Sequence, residues 1–286
     1  MPSLNLQEYI KQRRALIEQA LQEWLPSSHD EPKLVHEAMR YAVLSGGKRL
    51  RPVLTLAVSD VAGRPVGDTL NAACSIELVH AASLVLDDLP SMDNARLRRG
   101  VPCTHVRYGE ATAILSAMGL VALAFDLLTR SRAASSESSC KAVRELASAI
   151  GSKGIISGQY VDLTLKANPT TLARIESIYR EKAAALFIAS VRIPAALLGM
   201  NEEETRALTE FAQNLGLAFQ ICDDLLDAHQ APEDTGRQTH ATYLGVDGAR
   251  SRIENLTTLA GQALVPFADR AAVLLLFAEY VKTRTS

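Results

Sequence analysis

Two aspartate runs, Asp87-Asp88-Leu89-Pro90-Ser91-Met92-Asp93 and Asp223-Asp224-Leu225-Leu226-Asp227, each close a long apolar stretch. The first follows Leu78 to Leu86 and the second Leu217 to Cys222, so adjacent carboxylates stand where a core helix should stay apolar. Bare carboxylates there repel one another, and the end of a helix already presents negative charge. A cation resolves the conflict. Oxygen ligands from two separate helices suit Mg²⁺, which keeps several waters and takes one or two carboxylates together with phosphate oxygens of a substrate. The implied substrate is a phosphate or diphosphate ester. One aspartate pair alone is also what an ordinary solvated helix end looks like; two in the same context are harder to read that way. Asp223 and Asp227, four apart, fall on one helix face about 6 Å apart along the axis. Pro90 biases Leu89 away from helical geometry, so the first helix should stop beside Asp88 and Asp93 should return from a loop.

Cations that could hold such an ester lie nearby in sequence. Gly46-Gly47-Lys48-Arg49-Leu50-Arg51-Pro52 puts a permissive turn before three cations and a proline able to start a helix. By itself this is also an ordinary exposed helix-start loop. Arg98-Arg99-Gly100, five residues past Asp93, adds bidentate phosphate donors beside the metal ligands. His80 and Lys182 are weaker signals: a histidine in an apolar run is commonly a satisfied core group, and Lys182 could be a snorkelling surface lysine.

The elements that must position these groups are helical. Periodicity near 3.6 runs through nearly every long segment and strict alternation is hard to find, so the chain reads as all-α. Candidate helices cover residues 4–24, 31–44, 51–62, 68–88, 111–129, 138–165, 171–198, 202–228, 248–263 and 270–282. With 286 residues, 48% hydrophobic and 22% charged, no fixed-period repeat and no low-complexity tract, a single helical domain is preferred. The net charge of −2 gives no basic field for nucleic acid. Cys74, Cys103, Cys140 and Cys222 are widely separated, which fits a reduced cytoplasmic setting better than a disulfide scaffold. The N-terminal residues carry no uninterrupted apolar run of the secretory type, and no apolar stretch is read as reaching transmembrane length.

In combination, the Gly-Gly-Lys-Arg segment, the run from Asp87 to Asp93 followed by Arg98-Arg99-Gly100, and Phe219-Gln220-Ile221-Cys222-Asp223-Asp224-Leu225-Leu226-Asp227 resemble the trans-isoprenyl diphosphate synthases, from about Val35 to the C-terminus. The run from His80 to Asp88 and that from Met92 to Gly100 look most like the bacterial geranylgeranyl diphosphate synthases, with farnesyl diphosphate synthases as near relatives. The resemblance implies an all-helical bundle with a deep central cavity, usually a homodimer. It further implies that Asp87, Asp88, Asp93, Asp223 and Asp227 hold Mg²⁺ against the diphosphate of an allylic substrate, with Asp224 supporting the second cluster. By the same likeness, Arg98 and Lys182 contact that diphosphate, Lys48, Arg51, His80 and Arg99 hold isopentenyl diphosphate, and Phe219 and Gln220 line the space between the two.

The implied reaction is head-to-tail condensation of isopentenyl diphosphate with dimethylallyl, geranyl or farnesyl diphosphate. Cationic groups stabilise charge on the departing diphosphate, and the family gives the final proton to that diphosphate, so no side chain is nominated as base. This chain departs from the family in two places. Ala183 stands where a threonine usually follows Lys182, and the segment Thr235 to Tyr243 is shorter, with Arg237 and His240 nearest the family's allylic-site lysines. His240 is therefore assigned to substrate binding. Small residues at Ala82 and Ser83, one turn or slightly more before Asp87, leave depth for a long product, which favours geranylgeranyl over farnesyl diphosphate. A weakly active regulatory subunit is the remaining alternative, supported only by the altered loop.

Overall fold

The computed structural model of the chain describes residues 5–131, 134–165, 171–180, 184–230 and 240–284; the side chains of residues 164–165 and 227–230 are not described. The sequence expectation of an all-α protein holds, with helices α1 (Leu6–Trp24), α2 (Lys33–Leu44), α3 (Leu50–Val61), α4 (Leu70–Asp87), α5 (Thr104–Tyr108), α6 (Glu110–Thr129), α7 (Ser136–Ile150), α8 (Ile155–Leu165), α9 (Leu172–Tyr179), α10 (Ala185–Leu198), α11 (Glu202–Gln230), α12 (His240–Ala263) and α13 (Ala272–Thr283).

Helix α4 is central. Eleven of its eighteen residues are buried, and it packs on α6, α3 and α10. Burial around most of its circumference explains why its sequence is largely apolar away from the side that carries Glu77, His80, Ser83 and Asp87. It ends at Asp87, with Asp88 as cap, two residues before Pro90. The Asp93 amide then donates to the Asp87 carbonyl at 2.9 Å, so the loop returns as predicted. The other aspartate-bearing helix, α11, packs on α10 and α12. Its approach to α10 depends on Gly216, where a Cβ would lie 2.9 Å from Ala184 Cα and 3.1 Å from the Phe187 ring.

Several elements differ from the sequence reading. The helix predicted over 138–165 is broken at Gly151–Gly154, where the Gly151 and Gly154 amides close turns between α7 and α8. The stretch 171–198 is described as α9 and α10, with 181–183 outside the described residues. Helix α12 begins eight residues earlier than predicted, and Gly245 (φ 70°, ψ 170°) divides it into two helical segments. A two-stranded hairpin, β1 (Leu97–Arg98) with β2 (Val101–Pro102), interrupts the helical pattern. Its two-residue turn, Arg99-Gly100, has positive φ at both positions (54° and 81°), as a tight hairpin matching strand twist requires.

The expectation that no segment reaches transmembrane length needs correction: α4 and α6 are each long and apolar enough by length and composition. The α4 residues are apolar because they form the protein's own core. Helix α6 instead leaves Leu115 and Met118 exposed, at 52% and 63%.

Candidate active site

Carboxylates and cations from distant parts of the sequence converge on one cavity of about 840 Å³. Asp87 enters from the end of α4 and Asp223 from α11, while Lys48, Arg51, His80, Ser83, Arg98, Arg99, Phe219 and Gln220 also line it. On α4, His80, Ser83, Leu84 and Asp87 share one face through the i, i+3, i+4, i+7 spacing. Leu50, Leu84, Ile155 and Leu186 add apolar lining to the same cavity.

Both aspartate pairs follow the same plan. The first member of each lines the cavity, whereas the second is buried and held by its own donors. Asp88 accepts from Arg98, with Nε at 3.1 and 3.3 Å from its two oxygens and Nη2 also bonded. Asp224, 4% exposed, accepts from the Tyr179 hydroxyl and from Gln220 Nε2 at 3.2 Å. Asp93 is exposed and is not among the residues lining the cavity, and the side chain of Asp227 lies outside those described. Among the described residues no three carboxylate, histidine or cysteine groups form a ready-made metal cluster. Two carboxylates facing one cavity from two helices do fit Mg²⁺, because that ion takes one or two protein carboxylates and completes its shell with water and substrate phosphate.

The basic side of the cavity is built around Arg49. This residue takes a left-handed conformation (φ 54°) immediately before α3, and its guanidinium bonds Glu77 of α4 and the Val43 carbonyl. Its neighbours Lys48 and Arg51 line the cavity. Gly47 has φ 137°, a conformation that side chains rarely adopt, and the Arg99 guanidinium lies 2.7 Å from where its Cβ would be. Arg99 in turn donates to the Gly46 carbonyl, closing the hairpin onto the glycine loop. Burial lowers the Arg51 guanidinium, an effect that Asp223 and Glu77 oppose. His80 is held well below the ordinary histidine range, first by burial and then by Arg51, Arg99, Arg49 and Arg98, so it is neutral at pH 7. A cationic cavity with one neutral histidine is suited to a phosphate-rich anion.

Besides Asp93, two assigned residues fall away from the cavity. His240 is fully buried, with its ring 5.1 Å from that of Tyr179 and Nε2 3.4 Å from Glu176 Oε1. It does not line the cavity, because α12 begins at this residue and turns the ring inward against α9. Ala82 is also buried, about 140° around α4 from Asp87, whereas Ser83 does face the cavity. Lys182, with Ala183 and Arg237, lies outside the described residues.

Arg49, Glu77, Tyr179 and Arg284 were not singled out from the sequence. Glu77 offered a signal, since a lone acid between Ile76 and Leu78 in an apolar run needs a buried partner. Arg284, near the end of α13, donates to Asp223 Oδ1 at 2.8 Å. Its guanidinium lies 4.5 Å from the Phe219 ring centroid, and that of Arg51 lies 5.7 Å from the same ring.

Known proteins resemble this chain over most of its length. Residues 32–242 match the polyprenyl synthetase family. Geranylgeranyl pyrophosphate synthase 4 of Arabidopsis thaliana is 38% identical over 99% of this chain and 79% of its own length. Geranylgeranyl diphosphate synthase of Cyanophora paradoxa is 33% identical over 99% of this chain and 98% of its own. The structure of an FPP/GFPP synthase from Zymomonas mobilis superposes with a TM-score of 0.90 at 34% identity, covering 97% of this chain and 99% of that one. With aspartates of two helices and a cluster of cations lining one cavity, and a match over most of its length, the chain belongs to the polyprenyl synthetase family.

Proposed function

We propose that the protein is a trans-prenyltransferase that condenses isopentenyl diphosphate with an allylic diphosphate and makes geranylgeranyl diphosphate. The observation that carries this reading is the single cavity in which Asp87 and Asp223 face a basic cluster of Lys48, Arg51, Arg98 and Arg99. Mg²⁺ held by Asp87 and Asp223, with Asp93 and Asp227 assigned to it by sequence position alone, would supply Lewis-acid stabilisation of the leaving diphosphate. Asp88 keeps Arg98 in place beside that diphosphate, and Lys182 is assigned to it by its sequence position. Lys48, Arg51 and Arg99, with neutral His80, bind the diphosphate of isopentenyl diphosphate.

Ionisation of the allylic C–O bond places positive charge on carbon, and the homoallylic double bond attacks that carbon. The proton then lost passes to the released diphosphate, so the chain need not supply a base. Leu50, Leu84, Leu186 and Phe219 exclude water from the cation, and holding both substrates in one cavity replaces a bimolecular encounter by proximity. Incubating the protein with labelled isopentenyl diphosphate, Mg²⁺ and each of dimethylallyl, geranyl and farnesyl diphosphates tests the reading by product length. A farnesyl product is the second reading, favoured by the similarity to an FPP/GFPP synthase. No product without an added partner protein would favour the subunit alternative.

A homodimer fits the exposed apolar face of α6, where Ile114, Leu115 and Met118 stand within about one turn of each other. Met118→Glu should then convert the dimer to monomer in light scattering. A cytoplasmic setting fits four cysteines that are all free.

A further inference from the structure

We propose that Tyr179 is a positioning residue for the second aspartate cluster: by donating its hydroxyl to Asp224 it fixes the turn of α11 that carries Asp223. The inference rests on the proposed role of Asp223 in binding metal and diphosphate. Asp224 is 4% exposed, and a carboxylate removed from water needs donors of its own. It has them on two sides, Gln220 from one turn earlier in α11 and Tyr179 from α9. Of these two, the second ties α11 to another helix.

Helix α9 is itself braced. Glu176, one turn before Tyr179 on the same face, accepts from Arg252 of α12 with Nε at 3.0 Å and Nη2 at 2.9 Å. His240, at the start of α12, packs its ring against Tyr179 and places Nε2 near the same Glu176 oxygen. Burial keeps His240 below the ordinary histidine range despite the carboxylate, so the ring acts as a neutral packing surface at pH 7. The chain of contacts therefore runs Arg252 and His240 to Glu176, along α9 to Tyr179, and across to Asp224. This gives the buried His240 a role: it backs the ring that holds Asp224. Residues that hold metal ligands by hydrogen bonds typically change metal affinity about 10-fold to 100-fold when removed.

The test uses Mn²⁺ as a paramagnetic probe, titrated into the full chain with inorganic pyrophosphate and read by electron paramagnetic resonance. Wild type that binds no Mn²⁺ under these conditions counts against the proposed function itself and overturns the inference with it. Given wild-type binding, Tyr179→Phe should weaken it about 10-fold while leaving the melting temperature within a few degrees. Asp224→Asn should weaken it comparably, and the double variant should lose no more than the larger single loss, because both act through one bond. Full additivity, or Tyr179→Phe with wild-type Mn²⁺ affinity, overturns the inference. Should Tyr179→Phe not fold, Asp224→Asn alone decides: unchanged affinity overturns it, a 10-fold loss at unchanged melting temperature supports it.

Discussion

Arg49 of the glycine loop and Glu77 of α4 form an ion pair whose side chains are 1% and 3% exposed. Both residues belong to the cavity wall, and their bond ties the loop that carries Lys48 and Arg51 to the face of α4 that carries His80. Removing one partner leaves the other charge buried and unpaired, at a cost of about 3–5 kcal/mol.

Glu77→Ala should accordingly lower stability by about that amount in urea unfolding. Arg49→Met together with Glu77→Leu removes both charges and should recover much of the loss. Binding of isopentenyl diphosphate, measured by calorimetry, should nevertheless stay weakened in the double variant, since the left-handed turn at Arg49 loses its anchor. Full recovery of binding would show that the pair does not shape the loop.

The helices that carry the candidate site were legible because a 3.6 period survives wherever one face meets the core, and the end of α4 was legible because Pro90 follows two residues after the cap. The break between α7 and α8 had a signal in Gly151 and Gly154, which the surrounding periodicity outweighed. Tyr179 and Arg284 had none. Their bonds to Asp224 and Asp223 span 45 and 61 residues, and neither residue type nor local pattern reports a contact of that range. His240 was misplaced for a related reason: an alignment position near a binding lysine says nothing about which way the first turn of α12 points.

Asp87→Ala and Asp223→Ala should each reduce turnover by orders of magnitude, because the leaving diphosphate loses metal stabilisation. Chelation with EDTA should abolish turnover and added Mg²⁺ restore it. Wild-type rates in either variant would remove the two-helix carboxylate site from the mechanism.

Arg284 binds the same Asp223 that is proposed to take Mg²⁺. An ion pair at a partly open site contributes no more than about 1 kcal/mol, less than about fivefold. Arg284→Gln should therefore lower the Mg²⁺ concentration for half-maximal turnover by up to that factor. An unchanged Mg²⁺ requirement would mean that guanidinium and metal do not compete for the carboxylate.

His80 and His240 are both held below the ordinary histidine value, chiefly by burial. Below the unfolded-state pKa of about 6.5, the unfolded chain takes up protons that the folded chain refuses. Stability should be full above that pH and decline as pH falls from about 7 to 5, by at most about 1.4 kcal/mol per pH unit for each histidine. His80→Asn should flatten the profile of melting temperature against pH. A profile unchanged by that substitution would mean His80 is free to protonate in the fold.

Product length should respond to Ser83 rather than to Ala82. Ser83 shares the cavity-facing side of α4 with Asp87, one turn below the carboxylate, at about 6 Å along the axis. A tyrosine there would stand in the path of a chain growing away from the charged end, so Ser83→Tyr should shift the dominant product toward farnesyl diphosphate with the first condensation intact. Ala82 points into the packed core, where added volume typically costs about 1–3 kcal/mol. Ala82→Tyr should therefore lower the melting temperature without a selective change in product length. If Ala82→Tyr instead folds normally and shortens the product, the hydrocarbon chain runs behind α4 and not along the face that carries Asp87.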